Sequence, residues 1–222
     1  MRVPHVLHLT AIVTLLVASL CLIGKGAYMQ AKAHFAQYLI MQAWELTLKD
    51  RQAHKPWSWA DTYPVSKLTF LPAANDPQID AGPDNSLYVL AGASGRNLAF
   101  GPAELNVNSR ELTGNLSGNT RGNRVIAGHN DTHFAILDGV KKGRLIQLQD
   151  ANGKEVIYRV TGTNIVHESD TRVLAPSDDR LLTLITCYPF NSVEVGGELR
   201  LVVKAEAIAG KRSVWGLTAT SE

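Results

Sequence analysis

The chain has 222 residues, enough for one domain with a sizeable core and an appendage. Its 22 Lys and Arg nearly balance 20 Asp and Glu, so the net charge of +2 gives no electrostatic footprint for nucleic acid, and no such partner is expected. A hydrophobic fraction of 45% with 18 glycines excludes a disordered or collagen-like chain and fits a folded, β-rich domain.

From Val6 to Ile23 the sequence is apolar or small, with His8 the titratable intruder besides Cys21. That run matches the length needed to cross a bilayer core. It also resembles the apolar core of a cleaved signal peptide. Retention is favoured, because the run is long for a signal core and the small-x-small site Ala31-Lys32-Ala33 lies well beyond it. Leu20 is too large to precede a lipidated Cys21. Arg2 flanks one side and Lys25 and Lys32 the other, so flanking charge does not set the orientation. Residues 1–27 are therefore read as a membrane anchor.

From Tyr28 to about Ala53, apolar residues recur at helical spacing: Tyr28, Ala31, Phe35, Leu39, Ala43 and Leu46. An amphipathic helix is expected, as a stalk or packed on the main domain, with a membrane-surface helix as the runner-up. Pro56 is expected to stop it. Trp57 and Trp59 in the following linker are expected to pack on the domain surface. The helix and linker together occupy 28–62.

Beyond Pro64 the pattern changes to short extended runs separated by turn residues. Strands are expected at 65–71, 86–90, 123–127, 144–148, 156–160, 181–186 and 198–207. Gly82-Pro83-Asp84-Asn85 reads as a turn before the second of these, and Asp150-Ala151-Asn152-Gly153 as a hairpin connection. Helical material is sparse: one turn at 102–107 and a short helix at 132–140 with Phe134, Leu137 and Val140 inward. Many short strands with Gly-rich turns indicate a mainly β fold, a closed or nearly closed barrel. The barrel is expected over 63–210, with a tail at 211–222.

The two cysteines, Cys21 and Cys187, lie in segments too different to pair. By residue type alone, Cys187 reads first as an inert core thiol. Its neighbours alter that. Thr183-Leu184-Ile185-Thr186-Cys187 is an extended apolar run ending on the thiol. Val125-Ile126-Ala127 is another, closed by Gly128-His129-Asn130-Asp131. Arg200 lies on the strand that follows Cys187. A thiol needs a base to act as nucleophile, an imidazole is the usual base, and acyl transfer needs donors aimed at an oxyanion. Arg supplies permanently charged donors. Three strand ends can bring these groups to one rim.

At this point the sequence resembles the sortase family. Thr183-Leu184-x-Thr186-Cys187 is similar to the sortase nucleophile signature, Gly128-His129 to its histidine motif, and Leu199-Arg200-Leu201-Val202-Val203 to its arginine strand. The order His, Cys, Arg is the family order. The resemblance covers roughly 63–208, including Gly122-Asn123-Arg124-Val125-Ile126-Ala127, and the Trp57-Ser58-Trp59-Ala60-Asp61-Thr62 segment looks like the marine proteobacterial branch.

The resemblance implies an eight-stranded barrel and a cysteine transpeptidase, classed with the cysteine endopeptidases. Such an enzyme cuts a C-terminal sorting signal of a secreted protein, often of the LPxTG type. It holds the acyl group as a thioester and passes it to an amine. Carried over, Cys187 is the nucleophile, His129 the general acid and base, and Arg200 the oxyanion and substrate-backbone donor. A location in the cell (inner) membrane follows, single-pass, with the catalytic domain on the periplasmic side. No cofactor is required, although some sortases respond to calcium, and His167, Glu168 and Asp170 are a sparse candidate cluster for that or for lining a groove.

Other residues carry weaker expectations. Asp131 either orients His129 or caps the helix at Thr132, the cap being favoured. Thr186 and Tyr188 are candidate substrate contacts, and Phe190 walls the groove or packs. His133, four residues after His129, lacks a third ligand for zinc. A hydrolase with water as acceptor and a non-catalytic peptide-binding barrel stay open, whereas a papain-like protease is disfavoured, since there the Cys precedes the His.

Overall fold

The computed structural model describes residues 5–72, 86–105, 122–192 and 197–208. The turn expected at 82–85 and the tail at 211–222 lie outside these. The chain divides into two compact units, Met1–Leu39 and Ile40–Glu222. One helix, α1 (His5–Asp50), contains both the apolar run and the amphipathic segment.

In the first unit, α1 is long and apolar enough to cross a membrane, with a window of mean hydropathy 2.0 from His8 onward. Two of its hydroxyls bond back to the helix itself. Thr14 donates to the Thr10 carbonyl and Ser19 to the Leu15 carbonyl, each at 2.8 Å. Such bonds remove the cost of taking a hydroxyl into hydrocarbon.

In the second unit, the last turns of α1 bury Ile40, Ala43, Trp44 and Thr47, with Leu90 and Ala103 in the same apolar cluster as Ile40. The buried stripe therefore differs from the expected one, in which Leu46 stood on the packed face; Leu46 is exposed. Apolar residues surround this segment, and the large Ile40 and Trp44 fix which face packs. The helix ends at Asp50, before Pro56, because Arg51 turns to a left-handed φ of 63°. Arg51 then donates to the Ala151 carbonyl at 2.9 Å, tying the helix end to a hairpin of the barrel. Trp57 packs as expected, edge-on to Phe100 with centroids 5.0 Å apart. Trp59 is 74% exposed and leans on the Trp57 ring, with centroids 5.3 Å apart, rather than on the barrel.

The strands are β1 (Pro64–Phe70), β2 (Ser86–Ala91), β3 (Ala103–Glu104), β4 (Gly122–Ala127), β5 (Leu145–Asp150), β6 (Glu155–His167), β7 (Arg180–Tyr188) and β8 (Leu199–Ala207). They close into one barrel in the order β1-β2-β3-β4-β7-β8-β6-β5. Neighbours are antiparallel except β2–β3 and β4–β7, which are parallel. The turn expected at 102–107 is instead strand β3, where Ala103 and Glu104 bridge β2 and β4. The strand expected at 156–160 is more than doubled in length, because β6 pairs first with β5 and then, past an irregularity at Val160/Gly162, with β8. The helix expected at 132–140 contracts to a 3-10 turn at Ala135–Leu137, with Phe134 and Leu137 buried as foreseen.

Alternation sorts each strand into an inner and an outer face. Leu182 and Leu184 of β7, Leu201, Val203 and Ala205 of β8, and Ile126 of β4 join the main core with Leu68, Phe70, Tyr158 and Val160. One charged pair sits among them. Arg124 Nε donates to Glu104 Oε1 at 2.9 Å and Nη2 to Ser66 Oγ at 3.3 Å. Burial opposes the Arg124 charge, yet the Glu104 carboxylate holds its pKa above the ordinary value. Removing one partner of such a pair leaves a buried charge without compensation. Glu104→Ala is therefore expected to cost about 3 kcal/mol in urea denaturation, while the joint replacement Glu104→Leu with Arg124→Met restores most of it.

Candidate active site

Cys187 is the penultimate residue of β7, and its antiparallel partner is Arg200, the second residue of β8. Both lie on positions that alternate with core residues, so both face outward from the barrel. On the other side of β7 lies β4, in parallel register from Gly122↔Arg180 to Ala127↔Ile185. Continued two residues further, that register brings His129 level with Cys187. The ladders thus set Arg200 opposite Cys187, and β4 ends two residues before His129 at the same end of the sheet.

The chain around His129 is stitched by two bonds to β7 and by one to Pro189 just after it. Gly128 N donates to the Ile185 carbonyl at 3.1 Å. The Thr186 hydroxyl donates to the Gly128 carbonyl at 2.7 Å. The Asn130 side-chain amide donates to the Pro189 carbonyl at 3.1 Å. Beneath them, Phe134 N donates to the His129 carbonyl at 2.9 Å, folding the loop back on itself. Gly128 is required by that fold. A Cβ there would stand 2.8 Å from the Phe134 ring.

Thr186 is 2% exposed, and its hydroxyl is committed to Gly128, so it holds the histidine loop and does not face a substrate. Tyr188 is half-buried against the core and meets Phe190 edge-on, with centroids 6.4 Å apart. Both rings pack. Asp131 is exposed and makes no hydrogen bond to His129 among the described residues. It does not cap a helix either, since the 3-10 turn begins after Phe134 and has no side-chain cap. The fold-back under Gly128 occupies the residues where that cap would have formed. Asn130 was missed in the sequence; nothing in its type or position distinguishes it from an ordinary loop residue.

Arg200 is held from three directions. Nη1 donates to the Gly197 and Leu199 carbonyls, and Nη2 to Glu168 Oε2 at 2.6 Å. The other members of the expected acidic cluster go elsewhere. Asp170 accepts from Arg172 at 2.7 and 2.8 Å, which draws its pKa down to about 2. His167 meets Ser169 and Glu198. Among the described residues, no group of three or more His, Cys, Asp or Glu is gathered to hold a metal.

A further anchor lies lower on the same face. Asn123 is buried; its amide donates to the Val173 and Ala175 carbonyls, each at 3.1 Å, and its oxygen accepts from Thr183 Oγ1 at 2.7 Å. The β6–β7 connection is thereby clipped against β4 and β7, and it borders the outer face that carries Cys187.

The sortase domain family matches residues 77–208, more than half of the chain. The chain belongs to the sortase family. It is 36% identical over 91 residues to the candidate sortase YwpE of Bacillus subtilis, covering 39% of this chain and 84% of that one. In structure it resembles sortase A from Corynebacterium diphtheriae, with a TM-score of 0.52 and 26% identity over 69% of this chain and 65% of that one, just under two thirds of its length. It also resembles sortase A of Listeria monocytogenes, with a TM-score of 0.51 and 25% identity over 65% of this chain and 87% of that one. The closed barrel of eight strands is therefore the sortase fold.

Two predictions follow from this packing. Gly128→Ala forces Phe134 or the histidine loop to move; it is expected to cost about 1–3 kcal/mol in thermal or urea unfolding. His133 is pushed below its ordinary 6.5, first by burial and then by the neighbouring His129, with Asp131 opposing. Its neutral form is favoured in the folded state, so its contribution to stability is intact above about 6.5 and is lost as pH falls toward the lowered folded value. An NMR titration should place the His133 midpoint below 6.5, and His133→Gln should flatten the stability loss in that window.

Proposed function

We propose that this sortase-family protein is a membrane-anchored cysteine transpeptidase. The observation that supports the reading is the register that sets Arg200 opposite Cys187 and ends β4, two residues before His129, beside the same strand. The Cys187 thiolate attacks the scissile carbonyl of a sorting signal near the C terminus of a secreted protein. Electron density moves to the carbonyl oxygen, and Arg200 N–H groups stabilise the oxyanion. The peptide C–N bond then breaks, and imidazolium His129 protonates the leaving amine. The product is a thioester on Cys187. An incoming amine, deprotonated by His129, attacks that thioester and leaves with the acyl group. No metal enters these steps.

The apolar α1 is compatible with a single-pass anchor, and we place the catalytic domain on the periplasmic side of the inner membrane. A water acceptor would make the same acyl-enzyme a hydrolase intermediate. A barrel that only binds peptide would form no thioester.

The test uses the full chain in detergent with a library of C-terminal peptides and an amine acceptor such as triglycine. Mass spectrometry is expected to find an acyl adduct on Cys187 that the amine resolves. Cys187→Ala abolishes the adduct, and Arg200→Lys lowers its rate by about 10²-fold, the scale of losing an oxyanion donor. Turnover unchanged in both variants would sink this mechanism. Resolution by water alone would favour the hydrolase, and affinity without any adduct the binding barrel.

A further inference from the structure

Glu168 lies just past the end of β6, outside the sequence motifs, and its side chain has a specific address. On β6 and β8 the register runs Val166↔Arg200 and His167↔Leu199. The ladder continues one step further, with Glu168 N donating to the Glu198 carbonyl at 2.7 Å. Glu168 is thus the diagonal neighbour of Arg200, on the same face and within reach of a long side chain. Arg200 is therefore flanked by Cys187 on β7 and by Glu168 at the end of β6.

The hydrogen-bond count on Arg200 gives the pairing a consequence. A guanidinium has five N–H groups. The Gly197 and Leu199 carbonyls take the two on Nη1, and Glu168 takes one on Nη2. The Nε–H and the second Nη2–H have no partner among the described residues. The ion pair therefore fixes the plane of the group while leaving two donors uncommitted among the described residues. It also sets a carboxylate against a cation beside the thiol. The Arg200 side chain is only 24% exposed, whereas that of Glu168 is 50% exposed, so the carboxylate is no packing element of the core.

We propose that Glu168 is the positioning residue of Arg200, orienting its two uncommitted N–H groups toward the acyl oxyanion at Cys187 and moderating its charge there. This rests on the role proposed above for Arg200.

The test needs an acyl donor that requires no sorting signal. With p-nitrophenyl acetate, Cys187 Sγ attacks the ester carbonyl, a C–S bond forms, the ester C–O bond breaks and p-nitrophenolate leaves. Water then hydrolyses the acetyl thioester. Burst rates are measured on the full chain in detergent for the wild type, Glu168→Gln, Glu168→Asp, Arg200→Ala and the Glu168→Gln/Arg200→Ala double variant. The pH profile of Cys187 alkylation by iodoacetamide is recorded alongside.

Glu168→Gln is expected to slow acylation about tenfold, the scale of a modest loss of alignment, with unfolding unchanged. It also moves the alkylation profile to lower pH, because Arg200 then faces the thiol with its charge uncompensated. Glu168→Asp keeps the profile and recovers part of the rate. In the Arg200→Ala background, Glu168→Gln changes neither readout further. An equal loss in that background, or wild-type rate and profile in Glu168→Gln, overturns the inference while leaving Arg200 as the oxyanion donor. Wild-type acylation in Arg200→Ala overturns the role of Arg200, and the inference with it.

Discussion

The site depends on the parallel pairing of β4 with β7. Two parallel neighbours end at the same rim, so the residues following each strand meet there by construction. The ladder fixes their relative height, and the Thr186 hydroxyl extends its hold past the last paired residue by binding the Gly128 carbonyl. This bond lies in a buried, low-dielectric position, where an unmet carbonyl would cost about 1–3 kcal/mol. The histidine loop therefore cannot drift from β7 without exposing that carbonyl or burying it unpaired. Phe134 closes the arrangement from below, and its ring leaves room at residue 128 for hydrogen alone.

The barrel interior and the site divide the same strands between them. On β7 and β8, alternate residues fill the core, while the intervening ones build the outer face. The outer face is not simply a solvent face. Thr183 and Val202 on it are fully buried, and Asn123 ties the β6–β7 connection across it. A strand carrying apolar residues on both faces reads as a continuous hydrophobic run, as Leu181 to Ile185 does. Cys187 thus stands near the end of a strand packed on both faces.

That division explains what was legible in the sequence. The strands with strong periodicity and turn signals were placed to within a few residues. The two-residue β3 escaped because pairing across the barrel, rather than its own composition, makes it a strand. The length of β6 escaped for a similar reason: Asn164 and His167 look like loop residues, and only β8 holds them extended. The helix expected at 132–140 lost to the tertiary demand that Phe134 lie under Gly128. Asp131 then had no helix to cap. Around Arg200, the sequence showed the charge but not its partner, since Glu168 meets it across strands 32 residues apart.

The chain order of the three residues is itself constrained. A parallel neighbour of β4 must end, as β4 does, at the shared rim, so the thiol belongs at the C-terminal end of β7. The next strand, β8, is antiparallel and starts where β7 stops. A residue opposite Cys187 must then lie at the beginning of β8, and Arg200 is its second residue. β6 in turn is antiparallel to β8, so its C-terminal end returns to that rim, where Glu168 leaves it. Each strand of the run β4-β7-β8-β6 thus reaches the same end, β4, β7 and β6 by their C-termini and β8 by its N-terminus. A one-residue slip of β8 against β7 would turn Arg200 into the core and Leu201 out of it. The burial of Leu201, Val203 and Ala205 therefore fixes the register that faces Arg200 toward Cys187, and the core secures the geometry of a site on its opposite face.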